Sequence, residues 1–316
     1  MLMFLFPFLS VSAQKQPTAP DFLKPGDSIA LLSPASVPEV DFVTASENVL
    51  HRWGYQTVRG EHVLDSLHGS FAGTKEERKS DLLAALQNPK IKAIFCIRGG
   101  YGAVQEMQEI PLDTVAKYPK WIIGYSDITV LHSAWVSSGV QSIHAHMGEH
   151  LLRTDGKDTC SVVMKNLLSG KLPKYIIPTD TLNVLGEATG TLIGGNLSVY
   201  CGVAGTYLDG LQKIENPVLF IEDVEESFEH VDRYCNFLKL NGTLNKLKAV
   251  IIGQFTHYDH NGDYPSMDFV FRQYFNNLGI PVIYNFPVGH VTLNFPLIVG
   301  AKVHVKVGKE ESSVYF

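Results

Sequence analysis

The chain is poor in charge and in cysteine. Of its 316 residues 18% are charged, and 26 Lys+Arg against 32 Asp+Glu give a formal net charge of -6. No basic run offsets that balance, so the electrostatic footprint of a nucleic-acid partner is missing. The four cysteines, Cys96, Cys160, Cys201 and Cys235, show no CxxC spacing. That excludes the common zinc and redox motifs and leaves the thiols as small buried hydrophobes. Beyond the first residues no apolar run approaches the length of a membrane span, and no internal repeat is visible.

What is there suits a packed enzyme-sized chain. With 45% hydrophobic residues it can bury a full core, and its length suits two domains. The opening "MLMFLFPFLSVSAQ" reads as the apolar part of a secretory signal, residues 1–13, although no Lys or Arg precedes it. Export, to the periplasm or beyond, is the expectation.

The pattern along the chain falls into parts. Apolar strands are expected at Ser28 to Ser33, Ala93 to Ile97 and Trp121 to Tyr125. Between them lie helical spacings at Glu39 to Trp53 and at Lys75 to Gln87, the latter opened by a Thr74/Glu77 capping box. Continuous apolar strands alternating with amphipathic helices indicate a parallel sheet covered on both faces. Residues 20–150 are therefore read as an α/β domain. Residues 151–185, Pro-broken in their second half, suit a linker or crossover. Short strand-like runs follow, including "GTLIGG", "PVLFIED", "LKAVIIGQF" and "LIVGAKVHVKV", with one clear helix at Ser227 to Leu240. Residues 186–316 are read as a β-rich domain of mixed topology.

Reactive groups in an open parallel sheet gather beyond the carboxyl ends of its strands. Ser126 in "IIGYSDIT" falls at such a strand-to-helix corner. An elbow there exposes a hydroxyl, and free N–H groups at the helix start, that of Asp127 included, can stabilise an oxyanion. The hydrolase elbow G-x-S-x-G is matched only in part, because Ile128 takes the last position. An ordinary N-cap by Ser126 or Asp127 fits the same residues. A nucleophilic serine also needs a base and an orienting carboxylate. "FIEDVEES" offers Glu222 or Asp223 after an apolar strand, and "FPVGHVTLNFPL" offers His290. Spacing does not separate the two neighbouring acids.

The ordered set "FAGTKEERKSDLLAAL", "AIFCIRGGYGA", "IGYSDIT", "GTLIGGNLS", "LFIEDVEE" and "FPVGH" resembles the LD-carboxypeptidases, the serine peptidase family that also includes microcin C immunity peptidases. The similarity runs from about Lys24 to Val307. It implies an N-terminal flavodoxin-like or glutaminase-like α/β domain joined to a β-rich C-terminal domain, with the site between them. It implies a Ser-His-Glu triad on Ser126, His290 and Glu222, and an oxyanion hole of backbone N–H groups from Gly99 or Gly100 and from Asp127. A muropeptide substrate losing its terminal D-alanine, no cofactor and a homodimer are further implications. Arg98 beside the glycine loop is a candidate for the substrate carboxylate, and Asn196 in "GGNLS" a candidate for lining the same crevice.

Clustered histidines invite a different chemistry. "HAHMGEH" supplies His144, His146 and His150, and "HYDH" supplies His257 and His260. None of the usual zinc spacings is matched, so no metal is expected. Two rivals to muropeptide trimming stand beside it: an immunity-type peptidase acting on a peptide-nucleotide toxin, and a non-catalytic binder of wall fragments.

Overall fold

The computed structural model describes residues 16–258 and 264–316. The secretory-signal segment 1–13 and His260 lie outside them.

The first sheet has six strands in the order β11-β5-β4-β3-β1-β2. These are β1 (Ser28–Leu32), β2 (Gln56–Arg59), β3 (Ile91–Cys96), β4 (Trp121–Gly124), β5 (Ser142–His144) and, from much later in the chain, β11 (Leu297–Val299). The first five are mutually parallel, and β11 runs antiparallel to β5. Helices cover both faces, which is why β1, β3 and β4 are apolar almost throughout instead of alternating. They are α1 (Val40–Arg52), α2 (Lys75–Gln87), α3 (Ala103–Met107), α4 (Leu112–Lys117), α5 (Thr129–Ser137), α6 (Gly148–Thr154) and α7 (Thr159–Leu168). The capping box at α2 forms as expected: Thr74 accepts from the Glu77 N–H, and the Glu77 carboxylate accepts from the Thr74 N–H.

The second sheet has seven strands in the order β10-β9-β8-β7-β12-β13-β6. Parallel β7 (Gly186–Asn196), β8 (Pro217–Val224), β9 (Ala249–Thr256) and β10 (Val282–Ile283) are extended by antiparallel β12 (Lys302–Val307), β13 (Glu311–Tyr315) and β6 (Lys174–Pro178). Helices α8 (Leu197–Cys201), α9 (Phe228–Leu240) and α10 (Met267–Phe275) accompany it. α9 is the helix expected at Ser227, which caps it by accepting from His230 N–H. α10 was not expected.

Two expectations change. Segment 151–185 is not a bare linker: α7 buries Met164, Leu167 and Leu168 with Ile29, Trp121 and Ile123 of the first sheet, while β6 is an edge strand of the second. The run "LIVGAKVHVKV" is not one strand either. It breaks at Gly300, φ +86°, so that Leu297–Val299 joins the first sheet and Lys302–Val307 the second.

The sheets meet over α5, whose residues Thr129 to Val136 are all buried. A helix buried on every side lies inside a core, and its polar His132 and Ser133 are hydrogen-bonded there. Its Trp135 shares one cluster with Leu192 of β7 and Phe220 of β8. The serine corner is thus the entry to a helix clamped between the two sheets.

Candidate active site

The corner is held in an unusual backbone state. β4 ends at Gly124, Tyr125 is extended, and Ser126 takes φ +65° before a 3₁₀ turn at Ser126–Ile128 runs into α5. A left-handed serine is strained, and such strain at a strand-to-helix turn presents the side chain outward. Neither Ser126 nor Asp127 caps α5 through its side chain. Asp127 instead reaches across to the glycine loop, where Oδ2 accepts the Ala103 N–H at 2.9 Å at the start of α3. Burial pushes its carboxyl up to about 6 against the pull of hydrogen bonds from Ala103 and Gly102.

The "RGGYG" loop follows β3 and lies against the serine. A Cβ built on Gly99 would come within 2.9 Å of Ser126 Cβ and 3.1 Å of its Oγ. Only glycine lets the loop backbone approach so closely. Gly99 and Gly100 line a cleft of about 410 Å³ with Ser126, Arg98, Tyr125, Met147 and His290. Arg98 is exposed there, with Nη1 donating to the Val37 carbonyl at 2.9 Å.

The acid that spacing left open is separated by strand geometry, since neighbours on β8 point to opposite faces. Fully buried Glu222 turns to His290, whose Nδ1 donates to Oε2 at 2.7 Å. A carboxylate only accepts, so Nδ1 carries the proton and Nε2 is left as the basic nitrogen. Asp223 turns the other way and accepts from Asn196 Nδ2 at 2.7 Å, Ser198 N–H at 2.8 Å and Val224 N–H at 2.9 Å. Burial and the charge of Glu222 push Asp223 up to about 6.

Asn196 accordingly does not line the cleft. It is buried, N-caps α8 by accepting from Val199 N–H at 3.2 Å, and ties α5 to β7 through its own N–H on Thr129 Oγ1 at 3.0 Å.

His290 follows Gly289, φ +126°, where a Cβ would meet Glu222 Cβ at 2.8 Å and Oε2 at 2.9 Å. Burial pushes the imidazole down, but the charge and hydrogen bond of Glu222, with Asp223 and Glu225 behind, outweigh it and raise His290 above the ordinary histidine value. The Tyr125 ring sits 4.8 Å from the imidazole. Ser126 and His290 line the same cleft, and no hydrogen bond joins them among the described residues. Such bonds are often loose without substrate and tighten in the complex.

Sequence reasoning missed Glu39, Phe42 and Arg153 on the cleft wall. Phe42 belongs to α1 and Arg153 to α6, and on helices a site-facing residue has the same spacing signature as any surface residue.

Of the clustered histidines, His144, His146 and His150 are buried, and His150 also lines the cleft. His132 bridges Ser142 Oγ and the Gly124 carbonyl at 2.8 and 3.0 Å, and burial takes it down to about 4. His146 stacks on His150 with centroids 3.4 Å apart, and burial together with that neighbour takes it down to about 3. The three ligand-bearing groups that converge among the described residues are others, His62, Asp65 and Glu77, and Glu77 is engaged in the capping box.

The chain matches known proteins over most of its length. Residues 29–145 match the LD-carboxypeptidase N-terminal domain and residues 189–305 the LD-carboxypeptidase C-terminal domain. The murein tetrapeptide carboxypeptidase of Pseudomonas aeruginosa is 31% identical over 84% of this chain and 89% of its own. The microcin C7 self-immunity protein of Escherichia coli is 25% identical over 95% and 96%. The crystal structure of muramoyltetrapeptide carboxypeptidase from Oxalobacter formigenes superposes with a TM-score of 0.82 at 27% identity, covering 91% of this chain and 98% of that one. Both halves and the fold that joins them agree, and the chain belongs to the LD-carboxypeptidase family of peptidases.

Proposed function

We propose that this protein is a serine carboxypeptidase that hydrolyses the L,D-peptide bond before the terminal D-alanine of a muropeptide tetrapeptide. Ser126 Oγ attacks the carbonyl carbon of the L-centre while His290 Nε2 takes the serine proton. Glu222 fixes the imidazole tautomer and stabilises its cation. N–H groups of Gly99 or Gly100 and of Asp127 receive the oxyanion. His290 passes the proton to the departing amine as the C–N bond breaks. Water, deprotonated by the same imidazole, then cleaves the acyl ester and restores Ser126. Arg98, on the cleft wall, is assigned to the free carboxylate that a carboxypeptidase must recognise. No step uses a metal.

The observation that carries this reading is the 2.7 Å bond from His290 to the buried Glu222 inside the cleft that Ser126 also lines. The E. coli relative favours a second reading, a peptidase acting on a peptide-nucleotide toxin. Such a ligand calls for an aromatic platform, and the cleft aromatics here are Phe42 and Tyr125, with Trp121 and Trp135 buried elsewhere. Export and a homodimeric state are part of the proposal, checked by N-terminal analysis of the mature protein and by sedimentation.

Mass spectrometry of a disaccharide tetrapeptide incubated with wild type, with wild type in EDTA, and with Ser126→Ala is the deciding experiment. Loss of one alanine in the first two samples and not the third is expected. No loss from the tetrapeptide, with cleavage of an acyl-sulfamoyl adenylate, would establish the second reading instead. Loss that EDTA abolishes would refute the metal-free mechanism.

A further inference from the structure

Two buried polar side chains behind His290 take part in none of these steps. Asn294 and His144 are both fully buried. Asn294 Oδ1 accepts the Gly289 N–H at 2.9 Å. A backbone N–H only donates, so the amide is oriented with its oxygen toward Gly289. His144 Nε2 lies 3.3 Å from the same oxygen. That oxygen only accepts, so His144 carries its proton on Nε2 and its Nδ1 is bare. Burial and the neighbouring His132 hold the ring neutral, and the Phe220 ring packs against it at 89° with the centroids 5.2 Å apart.

These contacts bracket the segment that carries His290. Its base is closed by Phe295 N–H on the Pro287 carbonyl at 2.8 Å, and the Asn294 amide crosses it as a rung to Gly289. Three residues beyond Asn294, Leu297 pairs with His144 itself in the first sheet. The loop therefore leaves the second sheet, passes the cleft and lands on the strand next to the one that ends at the serine corner. Asn294 Nδ2 and His144 Nδ1 find no hydrogen-bond partner among the described residues. An apolar pair of the same volume would avoid that cost, but could not accept from Gly289.

Resting on the assignment of His290 as the base, we propose that Asn294, braced by His144, is a positioning residue. Its amide oxygen fixes the Gly289 peptide and thereby the imidazole against Glu222. It touches no reacting atom and acts through His290.

The test compares full-length wild type, Asn294→Leu and Asn294→Asp. Two readouts need no peptide: the proton NMR signal of His290 Nδ1–H in its bond to Glu222, and the rate at which a fluorophosphonate labels Ser126. The third is the split of kcat and KM on the disaccharide tetrapeptide. Asn294→Leu should broaden the signal and lower both labelling and kcat by about 10²-fold, the loss expected for a misplacement near 1 Å, with KM within about twofold. Asn294→Asp, which keeps an acceptor for the Gly289 N–H, should recover most of that loss. A purely structural role would lower stability and leave signal, labelling and kcat intact in the folded fraction, and that result overturns the proposal. Should Asn294→Leu not fold, Asn294→Ala replaces it in the same comparison. Absence of tetrapeptide turnover by wild type would strike the functional reading alone, because the proton signal is read without substrate.

Discussion

Replacing Gly289 with alanine tests the candidate site at its tightest point. Two costs arise together. A φ of +126° is one that L-residues rarely adopt, worth about 1–3 kcal/mol. The new methyl would also sit 2.8 Å from Glu222 Cβ, 2.9 Å from Oε2 and 3.1 Å from the Gln254 carbonyl. Overpacking a filled interior adds about 1–3 kcal/mol, so the total is about 2–6 kcal/mol. The clash has a direction. Backbone yields less readily than a side chain, so Glu222 is displaced from His290, and kcat should fall by about 10²- to 10⁴-fold, toward the effect of losing the carboxylate of the proposed triad. Gly242→Ala is the control, because Gly242 has φ +81° with open space around it and lies at the end of α9. It should lose about 1 kcal/mol and no activity. Urea melts and tetrapeptide kinetics on both variants separate the terms. Wild-type kinetics in Gly289→Ala would refute the argument that this loop is pressed against Glu222.

Glu222→Gln should lower kcat by about 10³- to 10⁴-fold, and it should also move the pH profile. Burial would then be opposed only by the weaker pull of Asp223 and Glu225, and the His290 pKa should fall. As the proposed base, His290 works when neutral, so the acid limb of kcat/KM should shift to lower pH; a limb that stays in place or moves up contradicts the account. Ser126→Gly should be more stable than Ser126→Ala by about 1 kcal/mol, because φ +65° strains alanine and not glycine. Equal midpoints in urea would mean the corner is relaxed. Gly99→Ala, with its methyl 2.9 Å from Ser126 Cβ, should lower fluorophosphonate labelling by at least about tenfold. Labelling at the wild-type rate would show that the loop has room to retreat.

What could be read ahead of the structure was whatever a local signal controls. The Thr74/Glu77 box, the strand at Trp121 and the corner at Ser126 are decided by neighbours in sequence, and each formed where expected. Glu222 against Asp223 was not decidable that way, because which face of β8 looks at His290 depends on packing from elsewhere. Asn196 was misplaced toward the crevice for the same reason: a polar group after two glycines has the same signature whether it faces a cleft or caps a buried helix. α10 was hidden among aromatic residues that suit a strand as well as a helix. The fate of Leu297–Val299 was the least legible, since three apolar residues before a glycine carry no mark of the sheet they will join.

That short strand bears on how the protein comes into being. Residues that follow His290 complete both sheets: Leu297–Val299 adds the edge of one, and Glu311–Tyr315 slots between two strands already made in the other. An emerging chain can build the serine corner early, yet the histidine loop is not anchored on β5 until Leu297–Val299 has been made. Under the proposed mechanism, activity should therefore appear only after Leu297–Val299 has been synthesised, and a chain stopped before it would lack the anchor that holds the His290 loop to the first sheet.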